Sequence, residues 1–244
     1  MAAMKSTSAL SKKLNAFVAL STDESRVVGE LESRCQRIPK GQDIIQEGQT
    51  GQTAFIVQEG WASTFKVMPD GARQIIGFPI PGDCVGLRSV LLWTSDYSFS
   101  TITDSVVCPV STARMLSLFN DFPRLGAAFL WAASRDEAMV VEHLVNIGRR
   151  SALERTAHFF MELAERLMLV GLATTTEFIC PLNQYVIADA LGLTAIHVNR
   201  VLRELREQKL LSVKSGSVII HDLEALRKLA GYRSVNGVRK APEK

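Results

Sequence analysis

The spacing of hydrophobic and polar residues changes twice along this chain. From about residue 37 to residue 112, short runs of strand-forming residues are separated by turn residues such as Lys40-Gly41 and Asp70-Gly71. The runs cover residues 43–47, 54–58, 62–67, 73–79, 98–103 and 106–111. Strand-length runs at this spacing, each closed by glycine or proline, predict an all-β barrel or jelly roll.

From about residue 122 to residue 147 the spacing becomes helical. Apart from Glu137, one face is apolar at alternating steps of three and four, at Leu130, Ala133, Val140, Leu144 and Ile147. A helix of about 26 residues is about 39 Å long, and the sequence offers no second bundle helix to cover it. The stripe therefore predicts a seam with the same helix of a second subunit, with packing on the chain's own barrel as the alternative. Gly148 is predicted to end this helix, or else to act as a hinge.

The C-terminal part contains the signals of a helix-turn-helix. Ser151 and Glu154 have the spacing of a capping box, so a new helix is predicted to begin there. Farther along, Asn183 can cap one short helix, Gly192 can supply a sharp turn and Thr194 can cap the next helix. Two helices joined in this way predict a DNA-binding motif, in which the second helix enters the major groove.

The second helix of this motif is amphipathic. Its inward positions are Val198, Val201, Leu202 and Leu205, and its outward positions are Ile196, Asn199, Arg200 and Arg203. Arg200 can donate two hydrogen bonds to guanine, Asn199 can bind adenine, and Ile196 can contact a thymine methyl group. Arg203 lies farther along and is predicted to neutralise phosphate. Each residue alone is commonly part of a solvated helix face, but together with the turn and the cap they favour DNA binding.

Two features flank the motif. Residues 211–220 have the pattern of two short strands around Lys214-Ser215-Gly216, which predicts a wing whose Lys214 reaches a phosphate; a hairpin without DNA contact is the alternative. Cys180 precedes the first helix of the motif. If its thiol is exposed, oxidation would interfere with DNA docking, which makes it a candidate redox switch. A buried, inert thiol is the alternative.

Composition agrees with a soluble protein of two domains. The 244 residues are 47% hydrophobic and 22% charged, and no uncharged apolar run reaches the ~18 residues that span a bilayer. We therefore expect a cytoplasmic protein without membrane contact, whose basic first 20 residues form a loose arm leading into a helix. The net charge is +3, and residues 1–150 hold 15 basic and 15 acidic side chains. The excess thus lies in residues 151–244, where nucleic acid is expected to bind.

Several kinds of chemistry find no support. The cysteines are widely spaced and form no Cys-x-x-Cys pair, which predicts neither a zinc site nor a disulfide framework but mostly buried thiols: Cys35, Cys84, Cys108 and Cys180. The histidines all lie outside the predicted barrel, at His143, His158, His197 and His221. A metal-dependent barrel enzyme would need imidazoles there, and no Gly-x-Ser-x-Gly elbow is present for a hydrolase. We expect no enzyme and no metal site.

The helix-turn-helix segment and the barrel turns both resemble those of a known family. The segment from Gly192 to Leu205 resembles the recognition segment of the Crp/Fnr family, the regulators related to cyclic-AMP receptor protein. Pro81-Gly82-Asp83 and the glycine turns before it recur in that family's barrel, and the resemblance covers about residues 17–231. It implies an α+β chain: an N-terminal cyclic-nucleotide-binding-type β-barrel (jelly roll), a long dimerisation helix and a C-terminal winged helix-turn-helix. It also implies a homodimer on a palindromic operator of double-stranded DNA, with RNA polymerase as a further partner.

The resemblance also implies residue roles. Arg200 occupies the position of the family's base-reading arginine, Thr194 the start of its recognition helix, and His197 that of a residue that meets phosphate. The family often has glutamate where this chain has Ile196. We therefore do not expect the best-known operator half-sites to apply unchanged.

The sensory end departs from the cyclic-AMP binders of the family. Their Gly-Glu-Leu cassette is replaced by Gly86-Leu87-Arg88, and no arginine stands near Ser98, where they carry Arg-Ser. The candidate effector pocket comprises Gly82, Gly86, Arg88, Ser89 and Ser98. We expect no cyclic AMP, and no haem, because the barrel lacks histidine. We also expect no iron–sulfur cluster, because an N-terminal cysteine cluster is missing.

These expectations divide the chain into three parts. An arm and barrel occupy residues 1–120, a dimerisation helix 121–148 and a winged helix-turn-helix 149–244. The predicted function is a sequence-specific DNA-binding transcription regulator with a sensory barrel for an unidentified signal. The alternative is a regulatory barrel module that docks a protein partner without sequence-specific DNA binding. A steep loss of duplex affinity with rising salt would favour the regulator.

Overall fold

The computed structural model of the chain describes residues 7–50 and 53–234, so the ends of the predicted arm and C-terminal domain (1–6 and 235–244) lie outside it. Two arm helices precede the barrel strands and one short helix. Their bounds are α1 Ala9–Asn15, α2 Thr22–Leu31, β1 Gln36–Ile38, β2 Asp43–Ile45, β3 Thr53–Glu59, β4 Ala62–Val67, β5 Arg73–Gly77, β6 Cys84–Val85, α3 Leu87–Leu92, β7 Ser98–Thr101 and β8 Ser105–Ser111.

The barrel consists of two antiparallel four-stranded sheets, in the orders β1-β8-β3-β6 and β2-β7-β4-β5. Apolar side chains from both sheets fill the space between them: Ile45, Val57, Ala62, Val85, Phe99 and Val107. This arrangement confirms the predicted barrel, and the six predicted strands end within two residues of the observed ones. The prediction missed β1 and β6, because strands of three and two residues are too short to show an alternating pattern.

The outer face of the first sheet is covered by helices. Residues from α1, α2, β3, β8 and the following helices form one buried cluster, which includes Leu14, Val28, Ile56 and Cys108. Cys35 and Cys108 are joined there by a disulfide, so the expectation of no disulfide is wrong for this pair. The two residues are 73 positions apart, and only the pairing of β1 with β8 brings them together.

Two helices follow the barrel, α4 Thr112–Asp121 and α5 Pro123–Arg149. The predicted long helix is confirmed, but Gly148 lies in its last turn and does not end it. The chain turns at Arg150, whose backbone is extended, because Ser151 then begins the next helix with the predicted capping box. The Arg150 guanidinium also donates to the Glu142 carboxylate, about two helical turns earlier, at 3.0 and 3.1 Å. These contacts hold the end of α5 in helical form. Among the described residues, no helix combines the length and apolarity needed to cross a bilayer.

The C-terminal part is a small helical domain with a three-stranded sheet. Its bounds are α6 Ala152–Val170, β9 Glu177–Ile179, α7 Gln184–Leu191, α8 Ala195–Glu207, β10 Leu211–Lys214, β11 Ser217–Ile220 and α9 Leu223–Ala230. The sheet order is β10-β11-β9. The predicted hairpin is therefore confirmed, and β9 adds a strand that the sequence analysis did not anticipate.

The barrel and the C-terminal domain share one apolar cluster. Trp61, Phe65 and Phe78 of the barrel pack with Phe159 and Phe160 of α6. This contact is continuous with the core under the helix-turn-helix. The second sheet of the barrel therefore packs against the domain that contains the DNA-binding motif.

Charged pairs at the edge of this contact hold the two parts in register. The carboxylate of Asp83 accepts from Lys13 Nζ on α1 and from Arg166 on α6, both at 2.7 Å. Arg73 of β5 donates to Asp189 of α7 at 2.9 and 3.0 Å. The arm, the barrel, α6 and α7 are therefore joined by ion pairs as well as by apolar packing.

Candidate DNA-binding interface

The turn between α7 and α8 is built as the sequence predicts. The Asn183 side chain accepts from the backbone N–H groups of Tyr185 and Val186, at 3.0 Å each, and so begins α7. Gly192 has φ +62°, a left-handed conformation that favours glycine. The Thr194 hydroxyl then accepts from the His197 N–H at 3.2 Å and begins α8. Local backbone chemistry therefore fixes where α8 starts.

A contact that the sequence analysis missed holds this turn to the rest of the domain. Arg155 of α6 donates to the carbonyl of Leu191, at the end of α7, at 2.8 Å, and to the carbonyl of Arg150 at 3.0 Å. One guanidinium thus ties the turn of the motif to the junction that follows α5. The residues are 36 positions apart, so no periodic signal points to this role.

The buried side of α8 fixes which residues face outward. Val198, Val201 and Leu205 are almost fully buried in the shared cluster. The opposite side presents Ile196, Asn199, Arg200 and Arg203 to solvent, at i, i+3, i+4 and i+7, which is one helix face. The exposed fraction of Ile196 is 83%, an unusual position for an isoleucine unless a partner covers it.

The cations of this face are held loosely. Arg200 contacts His197 Nε2 at 2.9 Å, and Arg203 pairs with Glu207 at 3.2 Å with most of both side chains in solvent. Exposed pairs of this kind contribute little to stability, roughly 0.2–1 kcal/mol. Both guanidinium groups can therefore exchange these partners for a ligand at small cost.

The wing lies at the end of β10 and β11. Ser215 and Gly216 both have positive φ, +50° and +81°, which is typical of a two-residue hairpin turn. Lys214 is exposed at the last position of β10, opposite Ser217. Ser217 donates to Glu177 of β9 at 2.8 Å, so the third strand steadies the hairpin.

The structure favours the inert alternative for Cys180. The residue is 1% exposed, and burial raises the pKa of its thiol to about 12. The reactive thiolate is therefore scarce at neutral pH.

The five candidate effector residues lie in different settings. Gly82 faces α1, and a Cβ there would lie 2.8 Å from the Ala9 carbonyl oxygen. Gly86, Arg88 and Ser89 lie at the start of α3, where Arg88 forms an exposed ion pair with Asp96. The two serine hydroxyls differ in their partners. Ser98 Oγ accepts from the Glu47 N–H at 3.1 Å, whereas Ser89 Oγ is buried and has no hydrogen-bond partner among the described residues. The structure thus brings three of the five together.

Residues at the position of the cyclic-AMP cassette have partners within the chain. The Gly86 N–H already donates to the Tyr97 hydroxyl at 3.2 Å. The rings of Phe55 and Phe99 lie 6.2 Å apart, and Phe99 is fully buried inside the barrel. The Arg88 guanidinium forms an exposed ion pair with Asp96, a partner that it can exchange at small cost. Within residues 7–50 and 53–234, no three His, Cys, Asp or Glu side chains are grouped to hold a metal ion.

A barrel of this topology, a long helix and a winged helix-turn-helix together define a class of two-domain DNA-binding regulators. Two family models match the chain, the cyclic nucleotide-binding domain over residues 35–122 and the Crp-like helix-turn-helix domain over residues 154–229. The chain is 32% identical over 192 residues to the nitrogen fixation regulation protein FixK of Azorhizobium caulinodans, with 78% of this chain and 76% of the relative covered. It is 31% identical over 206 residues to the transcriptional activatory protein AadR of Rhodopseudomonas palustris, with 82% and 84% covered.

Among solved structures, FixK2 from Bradyrhizobium japonicum is similar in fold, with a TM-score of 0.73 at 24% identity, over 82% of this chain and 98% of that one. The chain belongs to the Crp/Fnr family. Its relatives are DNA-binding transcription regulators, and both the resemblance and the fold class inferred from the sequence are confirmed.

Proposed function

We propose that this protein is a sequence-specific transcription regulator that binds a palindromic operator as a homodimer. The observation that carries the proposal is the outward face of α8, where three polar or charged residues and one apolar residue are exposed on a helix whose opposite face is buried. A helix of 13 residues is about 20 Å long, so its N-terminal half can lie in a major groove.

Three residues of this face are proposed to read bases. Arg200 can donate two parallel hydrogen bonds to guanine O6 and N7, once it leaves His197. Asn199, beside it, can bind adenine through its amide, and the exposed Ile196 can contact a thymine methyl group. Since guanidinium, amide and alkyl groups select different base edges, this trio can specify a sequence.

Four residues are proposed to bind phosphate. Thr194 accepts one N–H at its hydroxyl oxygen and keeps its own O–H to donate. Arg203 is exposed on α8, His197 is half-buried in the first turn of that helix, and Lys214 is exposed on the wing. These contacts would orient the helix and would carry no sequence information.

The dimer is proposed from the exposed face of α5. Apolar side chains along it point to solvent in the single chain: Leu130, Val140, Val141, Leu144, Val145 and Ile147. Their exposure disagrees with the alternative in which the stripe packs on the chain's own barrel. The exposed fraction of Leu144 is 73%, and a stripe of this kind along a 27-residue helix matches a parallel seam with a second copy.

A substitution in the seam tests the dimer. Leu144→Asp places a charge where two helices meet, so sedimentation should show monomers at concentrations where the wild type is dimeric. Leu116→Asp is the matched control, because Leu116 is also exposed but lies on α4. If Leu144→Asp sediments like the wild type, α5 does not form the dimer contact.

We further propose that the barrel receives a signal and α5 transmits it. A change in α5 packing would alter the spacing of the two α8 helices, which must meet half-sites roughly 34 Å apart. An effector acts only if it binds one of these conformers more tightly. We retain the division at residues 120 and 148, a cytoplasmic location, no enzymatic activity and RNA polymerase as an expected partner. We propose no resident cofactor.

Selection from random duplex DNA tests the whole proposal. The protein should enrich a two-fold symmetric motif with half-site centres about one helical turn apart. The enriched duplex should bind more tightly than a shuffled duplex of equal length, and its affinity should fall steeply with salt. Enrichment of no motif would favour the alternative, a barrel module that docks a protein partner.

A further inference from the structure

The disulfide of Cys35 and Cys108 lies at the β1 edge of the first barrel sheet. Cys35 lies in the short link between α2 and β1, and Cys108 lies in the middle of β8. Gln36 of β1 pairs with Val107 of β8, so the next position along the ladder sets the two cysteines side by side. The bond thus joins the residue just before the first barrel strand to the last strand.

Strand register lets Cys108 form a disulfide with Cys35 but not with Cys84. Ile56 of β3 is paired with Cys108 on one side and with Cys84 on the other. Neighbouring strands are about 4.8 Å apart, so Cys84 lies about 10 Å from Cys108. That distance exceeds the ~7 Å between Cα atoms beyond which a disulfide cannot form without backbone movement.

Accessibility distinguishes Cys35 from Cys108 and Cys180, whereas Cys84 is also half-buried and is set apart by strand register. Cys35 is half-buried at the edge of the sheet, whereas Cys108 is fully buried. Burial raises the pKa of the Cys84 and Cys180 thiols to about 12 each, so both stay protonated at neutral pH. Because the thiolate is the reactive form, an oxidant entering from solvent meets Cys35 first.

We propose that Cys35 and Cys108 form a reversible thiol–disulfide site that a peroxide oxidises. The Cys35 thiolate attacks one peroxide oxygen and the O–O bond breaks, which gives a sulfenic acid; the departing hydroxide takes up the proton that the Cys35 thiol released to solvent and leaves as water. The Cys108 sulfur then attacks the sulfenic sulfur, and the second oxygen leaves as water with the Cys108 proton. Two thiols supply the two electrons that reduce one peroxide to two waters.

The reverse step needs only an external thiol. A small thiol such as glutathione attacks the disulfide, forms a mixed disulfide and releases one cysteine, and a second thiol frees the other. In the cytoplasm, where we place this protein, disulfides are usually transient and redox-sensing. The site is therefore expected to be reduced at rest and oxidised under peroxide.

The bond would hold the base of the N-terminal arm. β1 is only three residues long, so without the bond few backbone contacts fix the link between α2 and the barrel. The arm matters for the whole molecule, because Lys12 of α1 donates to the Val170 carbonyl on α6 at 3.1 Å. Oxidation would thus lock a segment that bridges the barrel and the DNA-binding domain.

The test compares fully reduced and peroxide-treated protein. Hydrogen peroxide should remove two hydrogens from the intact mass, and a digest should yield one cross-linked peptide pair joining Cys35 to Cys108. Trypsin should cut after the exposed Arg34 and Arg37 several-fold more slowly in the oxidised protein, and dithiothreitol should restore the faster rate.

Two variants complete the design. Cys35→Ser should form no cross-link and show the same trypsin rate with and without peroxide. Cys84→Ser is the matched control and should behave like the wild type. A sulfinic acid on Cys35, a link through Cys84, a disulfide between two chains, or a trypsin rate that oxidation leaves unchanged would each overturn the proposal. None of these readouts depends on DNA binding.

Discussion

The basic residues of α8 differ in exposure and in partners from those of the contact between the barrel and α6. On α8, Arg200 and Arg203 are exposed and bound to residues of their own helix. At the domain contact, Arg166 is almost buried and donates to Asp83 and to the Phe78 carbonyl, both at 2.7 Å. The cations that we propose to bind DNA are exposed and have exchangeable partners, whereas the cations that join two domains are satisfied within the chain.

The largest loss of stability is expected when Asp83 is removed from the contact between the barrel and α6. Asp83→Ala would leave Lys13 and Arg166 buried without their shared carboxylate. Breaking a buried ion pair from one side typically costs about 3–5 kcal/mol, and we expect that loss in the free energy of unfolding measured with urea. Asp23→Ala, on the exposed side of α2, should change it by less than about 0.5 kcal/mol.

Acid should act on the same contact in the wild type. Burial would raise the pKa of Asp83, but the charges of Lys13 and Arg166 outweigh it and lower the pKa to about 2. A carboxylate with a lowered pKa stabilises the fold above its ordinary value near 4, and this contribution is lost as the pH falls from about 4 toward 2. If Asp83→Ala lowers the free energy of unfolding by less than about 1 kcal/mol, water hydrates Lys13 and Arg166 in the variant and the ion pairs contribute little.

On α8 the corresponding loss should appear in DNA binding and not in stability. Arg200→Ala should cost about 1–3 kcal/mol at one base position in each half-site, and substitution of that base should then matter less. Binding to a panel of single-base operator variants measures this. Arg227→Ala removes the same charge from α9 and should leave the preference intact. Equal weakening on every duplex would mean that Arg200 contacts phosphate.

The two regions also differ in how far the sequence predicts them. Asn183, Gly192 and Thr194 act on backbone within three residues, so their caps and turn are readable as local motifs, and the outward face of α8 follows from helical period. The end of α5 is less well predicted, because a glycine and a helix-capping serine lie within four residues of each other there. Gly148 is a terminator by type, but Ser151 caps the next helix and moves the break.

The domain contact could not be predicted in the same way. Lys13 and Arg166 lie 70 and 83 positions from Asp83, and no periodicity links them. The disulfide likewise depends on how β1 and β8 pair. Such contacts are set by tertiary register, which a single sequence does not reveal.

His143 tests a weaker contact on the buried side. Burial lowers its pKa, but the Glu162 carboxylate, 2.7 Å away, outweighs burial and raises the pKa above 6.5. Since the folded pKa is the higher one, this contribution is complete below pH 6.5 and is lost as the pH rises through the raised value. His143→Gln should therefore destabilise the protein more at pH 6 than at pH 9. His158 is excluded as the cause, because burial lowers its pKa to about 4.

A matched substitution separates this pair from general histidine titration. His221 is exposed and contacts Ser212 at 2.9 Å, so His221→Gln should show the same urea midpoint as the wild type at both pH values. If the cost of His143→Gln is the same at pH 6 and pH 9, the pair with Glu162 is not an ion pair.

The smallest effect is expected at the wing. Lys214 is exposed and would meet a phosphate, so Lys214→Ala should weaken every duplex alike and reduce the salt slope of log K by about 1. The measurement is binding of the selected operator and of a shuffled duplex at several salt concentrations. Lys228→Ala, on α9, should leave the slope unchanged. If the slope is unchanged in Lys214→Ala too, the wing is a hairpin without DNA contact, and α8 alone carries the electrostatic contribution.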